Sequence, residues 1–119
     1  MRSLLELGNH FAAVPLVDLA VLQESRADVV LTIQEALRGV GPAEWIDVFT
    51  RGVFAVEEYA GTMTDAEFAT RTSRAHYGAA NTQAGWLVEL VGHIYHHRGE
   101  LYTYLQLMEV RVTADDLYT

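Results

Sequence analysis

Residues 83–108 contain no proline and place apolar side chains at helical spacing on two faces. At about 100° per residue, Trp86, Leu90, Ile94, Leu101, Tyr104, Leu105 and Met108 form one stripe. Val88, Val91, Tyr95 and Tyr102 form a second stripe on the opposite side. A helix that is apolar on two sides must sit centrally in its fold or be covered by a partner. Asn81 or Thr82 is suited to cap it, and the pattern runs to about Met108. This stretch calls for an all-helical architecture, and the rest of the chain agrees.

Ser3 followed by Glu6 reads as a capping box, and Leu7, His10/Phe11, Val14, Val17 and Val21 line the helix it opens. Pro15 lies within that stretch and either kinks one helix or begins a second. A further helix covers roughly residues 26–38, with Val29, Val30, Ile33 and Leu37 on one side, and Gly39 and Gly41 end it. Pro42 opens the next helix, which turns Trp45, Phe49, Val53, Val56 and Ala60 inward and stops at Gly61. Thr64 and Glu67 form a second capping box before a short helical turn. Residues 70–80 read as an irregular loop turning at Gly78, and the tail from Arg111 as polar and loosely packed. No run alternates with period two, and no repeat or low-complexity tract occurs. The expectation is one domain spanning 1–119, an up-and-down bundle of the four-helix type.

The run HIYHHRGELYTYL, residues 93–105, concentrates histidine in this framework. His93 and His97 fall inside the apolar stripe, four residues apart, so their imidazoles stack one turn above the other. That is the spacing at which two imidazoles reach one metal ion. His10 also lies in the apolar stripe of its own helix and is the third candidate, supplied from a facing element. His96 points to one side and Glu100 borders the stripe beside it. His76, in the loop, is expected to be solvated. The alternative for each inward histidine is a neutral core residue bonded to a carbonyl or hydroxyl.

Composition narrows the chemistry. The chain has 119 residues, a net charge of −8, no cysteine and eight basic residues, all of them arginine. A thiolate nucleophile, a sulfur metal ligand, a lysine Schiff base and a P-loop are therefore excluded. The acidity argues against nucleic acid and against an anionic membrane surface. No unbroken apolar run reaches the roughly 18–20 residues that span a bilayer, and a cytoplasmic location is expected.

The C-terminal run GHIYHHRGELYTYLQLMEV resembles the signature of the DinB/YfiT-like superfamily, close to H-x-x-H-H-R-G-Q-L followed by Y-L. The N-terminal run ELGNHFAAVPLVDLAVL is similar to the segment that carries that family's other ligand. The resemblance implies a DinB-like helical bundle with a three-histidine divalent metal site formed by His10, His93 and His97. His96, Arg98 and Gly99 match motif positions outside the ligand set. Position 100 is Glu where Gln is usual, so its carboxylate would orient an imidazole, approach the metal, or remain an exposed helix carboxylate. This chain begins almost directly at the first ligand segment, so the usual preceding helix is expected to be missing. A homodimer is the expected way to cover the apolar surface this leaves.

Three imidazoles leave a tetrahedral ion one open position, as catalytic sites do. Imidazole ligation suits zinc or nickel, with iron and copper also possible. The family's characterised members include thiol-dependent S-transferases. By resemblance, the expected activity is transfer of a low-molecular-weight thiol cosubstrate to a small electrophile, in a pocket walled by Trp86, Tyr104 or Phe11. The alternatives are hydrolysis by a metal-bound hydroxide, with Glu100 or His96 as base, and a non-catalytic dimeric bundle. All of these require imidazole nitrogens from opposite ends of the chain to lie within about 5 Å of one another.

Overall fold

The computed structural model describes residues 2–118, the last by its backbone only. The helices are α1 (Leu4–Leu22), α2 (Ala27–Ala36), α3 (Pro42–Gly61), α4 (Asp65–Thr70), α5 (Gln83–Leu107) and α6 (Ala114–Tyr118). Two strands, β1 (Thr72–Arg74) and β2 (Ala80–Thr82), pair antiparallel between α4 and α5, with Ser73 opposite Asn81. The fold is an α-helical bundle in which α1 is central, packed on α2, α3 and α5.

Both capping boxes form: Ser3 and Thr64 accept the N–H of Glu6 and Glu67, whose carboxylates return to the cap N–H groups. Thr82 rather than Asn81 caps α5, through the N–H of Gly85 at 3.0 Å. Helix α1 runs through Pro15 without interruption. It is the most apolar element, 19 residues with a mean hydropathy of 1.3, long and apolar enough by composition to cross a membrane. That departs from the expectation that no segment reaches this length. Here its apolar length is core: Ala13, Val17, Ala20 and Val21 pack with Val30, Val56, Trp86 and Leu90.

The inward face of α3 also differs from the expected one. Val48, Gly52 and Val56 are buried, while Trp45, Phe49, Val53 and Ala60 are only half-buried. The reason is the contact with α1. A Cβ built on Gly52 would lie 2.7 Å from Cβ of Pro15 and 3.2 Å from the backbone nitrogen of Leu16. The smallest residue makes the closest approach, and a pattern of large apolar residues points elsewhere.

Residues 70–80 form a hairpin rather than an irregular loop. Its strands are three residues long and polar, and Gly78 supplies the turn at φ 100°. The hairpin is docked by buried polar groups. Tyr59 donates its hydroxyl to Oε1 of Gln83 at 2.7 Å, Nε2 of Gln83 donates to Oγ of Ser73 at 3.1 Å, and Trp86 donates Nε1–H to the carbonyl of Ser73. Gln83 is 1% exposed and fully satisfied, as a buried amide must be. The tail also folds back more than expected: Arg98 Nη1 donates to the carbonyl of Leu117 in α6 at 2.7 Å.

The radius of gyration is 15.4 Å. A compact chain of this length would have about 13.5 Å. The difference goes with exposed apolar faces: Val88, Val91 and Tyr95 on α5 are 72%, 49% and 55% exposed.

Candidate metal centre

His10 stands in the first half of α1, and its place is fixed by its neighbour. Oδ1 of Asn9 accepts two donors, the N–H of Gly39 at 2.8 Å and Nε1–H of Trp45 at 3.0 Å. This ties the start of α1 to the α2–α3 connection and to α3. His93 and His97 project from successive turns of α5, which lies along α1. Ring centroids are 5.7 Å apart for His10–His93, 4.4 Å for His10–His97 and 4.7 Å for His93–His97. One ligand nitrogen from each residue lies within 4.8 Å of the other two. This proximity suits a shared divalent cation, whose bonds to imidazole nitrogen are about 2.0–2.1 Å.

Two carboxylates back the imidazoles. Nδ1 of His93 meets Oδ2 of Asp18 at 2.8 Å, and Nδ1 of His97 meets Oε1 of Glu100 at 2.5 Å. An ionised carboxylate only accepts, so each Nδ1 donates its proton, which leaves Nε2 as the nitrogen that would face a metal. Burial above all, then the charge of Arg2, lowers the pKa of His10 to about 4. Burial likewise pushes His97 down, against the opposing pull of Glu100. Both are therefore neutral at pH 7, the form that binds a metal. Glu100 is held below the usual carboxylate range, first by its hydrogen bond from His97. Burial pushes Asp18 up, and the bond from His93 counters it. An all-imidazole donor set, with two of its rings oriented by carboxylates, fits a divalent cation.

A second convergence, His96 with His97 and Glu100, shares His97. His96 is exposed, its Nε2 is 3.5 Å from Glu100, and Glu100 is already engaged by Nδ1 of His97. The inner three-histidine set is therefore the better site.

His10 and His93 form part of the wall of a cavity of about 720 Å³ between α1, the end of α2 and α5. Ala13, Val14 and Val17 supply its apolar side, and Arg2, Gln34 and Arg38 its polar side. A smaller hollow of about 400 Å³ beside α2 and α3, bordered by Glu44, Asp47 and Arg51, contains no histidine.

The residues proposed as pocket walls are not part of this cavity. Phe11 stacks on Phe49 with centroids 5.6 Å apart, Trp86 is buried over the hairpin, and Tyr104 donates its hydroxyl to the carbonyl of Arg2. Arg98 lies 4.3 Å over the ring of Tyr95 and serves the C-terminal packing. His76 is exposed beside Tyr77. The sequence reading did not single out Asp18, Asn9, Arg2 or Arg38. Asp18 had a signal: it is a carboxylate set among buried apolar residues of α1.

Removing the Asp18 carboxylate tests its orienting role. Asp18→Ala is expected to weaken divalent-metal binding by about 10–100-fold, measured by competition with a chromophoric chelator. Unchanged affinity would show that the carboxylate does not set the His93 ring.

No family profile and no curated protein matches this chain. It is similar to a crystal structure from Exiguobacterium sibiricum described as a candidate member of the DinB family, with a TM-score of 0.78 and 27% sequence identity. The match covers 97% of this chain and 72% of that one. The fold is DinB-like.

Proposed function

We propose that the protein is a metal-dependent enzyme that transfers a small thiol cosubstrate to a small electrophile. The observation that carries this reading is the convergence of three imidazoles, two of them carboxylate-backed, with His10 and His93 on the wall of a cavity. Zinc and nickel suit the donor set best, with iron and copper as further candidates. When bound, such a cation supplies the Lewis acidity that deprotonates a thiol at neutral pH. His10, His93 and His97 hold the ion, Asp18 and Glu100 fix the rings of His93 and His97, and the apolar side of the cavity limits water. The chain has no cysteine, so the thiol comes from outside. The cytoplasm, where small thiols stay reduced, is the compartment assigned to this reaction.

Hydrolysis is the weaker alternative, because the carboxylates near the histidines are engaged. Asp18 and Glu100 accept from imidazoles, and Oε2 of Glu6 accepts the N–H of Ser3. The test is conjugation of a low-molecular-weight thiol to a bimane-type electrophile by zinc-loaded protein. Thiol consumption above the metal-free control is expected. No consumption across a panel of thiols and electrophiles would overturn the reading, and ester cleavage without thiol would favour hydrolysis.

We further propose that a second copy covers the outer face of α5. Val88, Val91 and Tyr95 are exposed there, and the radius of gyration exceeds that of a compact chain. Light scattering at micromolar concentration is expected to give a dimer, and Val91→Glu to give a monomer. A monomeric wild type would remove the proposal.

A further inference from the structure

The arginines of this chain divide into two groups. The protein has 16 acidic residues for 8 basic ones, so a guanidinium without a carboxylate or carbonyl partner is unexpected. Among the described residues, Arg26, Arg51 and Arg71 pair with Asp28, Asp47 and Glu67. Arg74 and Arg98 donate to the carbonyls of Gly78 and Leu117. Arg2, Arg38 and Arg111 have no such side-chain partner among the described residues, and of these Arg2 and Arg38 line the histidine cavity.

Their placement follows from the fold. The bond from the N–H of Gly39 to Asn9 brings Arg38 to the level of the residue preceding His10. Arg38 also borders the smaller hollow, so it stands on the ridge between the two. Arg2 is near enough to His10 and Glu100 to influence both electrostatically. The two acidic side chains on the same wall are already used: Glu6 accepts the N–H of Ser3, and Asp18 accepts from His93. The cavity thus combines two guanidinium groups that have no hydrogen-bonded side-chain partner among the described residues with the imidazoles of His10 and His93.

We propose that this cavity binds a small organic anion, with a carboxylate held by Arg2 and Arg38 and the rest of the molecule directed toward His10 and His93. The substrate class is then a carboxylate-bearing small molecule. Guanidinium is the group suited to this task, because its planar fork matches a carboxylate and it stays charged at any working pH. This inference rests on the proposed function for the reacting end of the molecule, but the anion site stands on the arginines alone.

The test is calorimetric titration with succinate, and with its uncharged analogue succinamide, on zinc-loaded and metal-free protein. Wild type is compared with Arg38→Gln, with the double variant Arg2→Gln/Arg38→Gln, and with Arg111→Gln outside the cavity. Wild type and Arg111→Gln are expected to bind succinate and not succinamide, in both metal states. The double variant is expected to bind succinate at least about tenfold more weakly, with Arg38→Lys restoring part of the loss relative to Arg38→Gln. Equal succinate affinity in wild type and the double variant would overturn the inference, as would equal binding of succinamide. Succinate binding only to zinc-loaded protein, whatever the arginines, would also overturn it. If the protein takes up no metal yet binds succinate through the arginines, the metal reading fails and the anion site remains. Thermal melts of each variant confirm folding, and all three side chains are exposed.

Discussion

Replacing His97 with alanine is expected to abolish stable divalent-metal binding. Wild-type protein should carry about one equivalent per chain, as a single three-imidazole site implies. The loss in affinity should exceed the roughly 100-fold upper range for removing a group that only supports a ligand. His97 has this weight because it is the most buried of the three and belongs to both convergences of candidate ligands. Two further variants separate those convergences. His10→Ala should also lose metal, whereas His96→Ala should keep it, because His96 belongs only to the exposed set. Elemental analysis of the four proteins after dialysis reads all of this directly. Metal retained by His10→Ala and lost by His96→Ala would move the site to the surface.

The second large effect is structural. Gly52→Val is expected to destabilise the fold by about 3 kcal/mol, the upper part of the range for overpacking. That corresponds to a fall of about 10–15 °C in Tm for a chain of this size. Helix propensity alone predicts the opposite, since replacing a mid-helix glycine with alanine ordinarily gains about 1 kcal/mol. Contact decides the sign. Even a bare Cβ at Gly52 meets Cβ of Pro15 at 2.7 Å and the Leu16 backbone at 3.2 Å, and neither can swing aside as a long side chain can. Gly92 and Gly99 supply the contrast, because a Cβ at either meets nothing within 4 Å. In the monomeric Val91→Glu background, Gly92→Ala and Gly99→Ala should raise Tm slightly. Thermal melts followed by circular dichroism distinguish the two classes, and an unchanged Tm for Gly52→Val would mean that α1 and α3 can part there at little cost.

Features governed by local chemistry were readable in the sequence. The capping boxes at Ser3 and Thr64, the proline start of α3 and the extent of α5 depend on residues a few positions apart. The inward histidines were readable too, because helical period alone sets which side of α1 and α5 they occupy. Contacts between distant segments were not readable. Asp18 meets His93 across 75 positions of sequence, and Asn9 reaches Gly39 and Trp45 across 30 and 36. The hairpin escaped detection because it is too short and polar to show alternation, and Gln83 and Trp86 hold it from outside its own sequence. The cavity wall was misjudged for a related reason. Aromatic residues were expected to enclose the substrate, yet Trp86 and Phe11 are committed to packing, and the cavity is lined by small residues of α1 with arginines at its edge.

The position of α1 has a consequence for how the protein is made. Its apolar residues find their partners in α2, α3 and α5, and its histidine meets the other two only once position 97 exists. At about 5–20 residues per second, the ribosome needs roughly 4–17 s to travel from His10 to His97. For that interval the most apolar segment of the nascent chain lacks its α5 neighbours, and the three imidazoles can meet only after position 97 has been made.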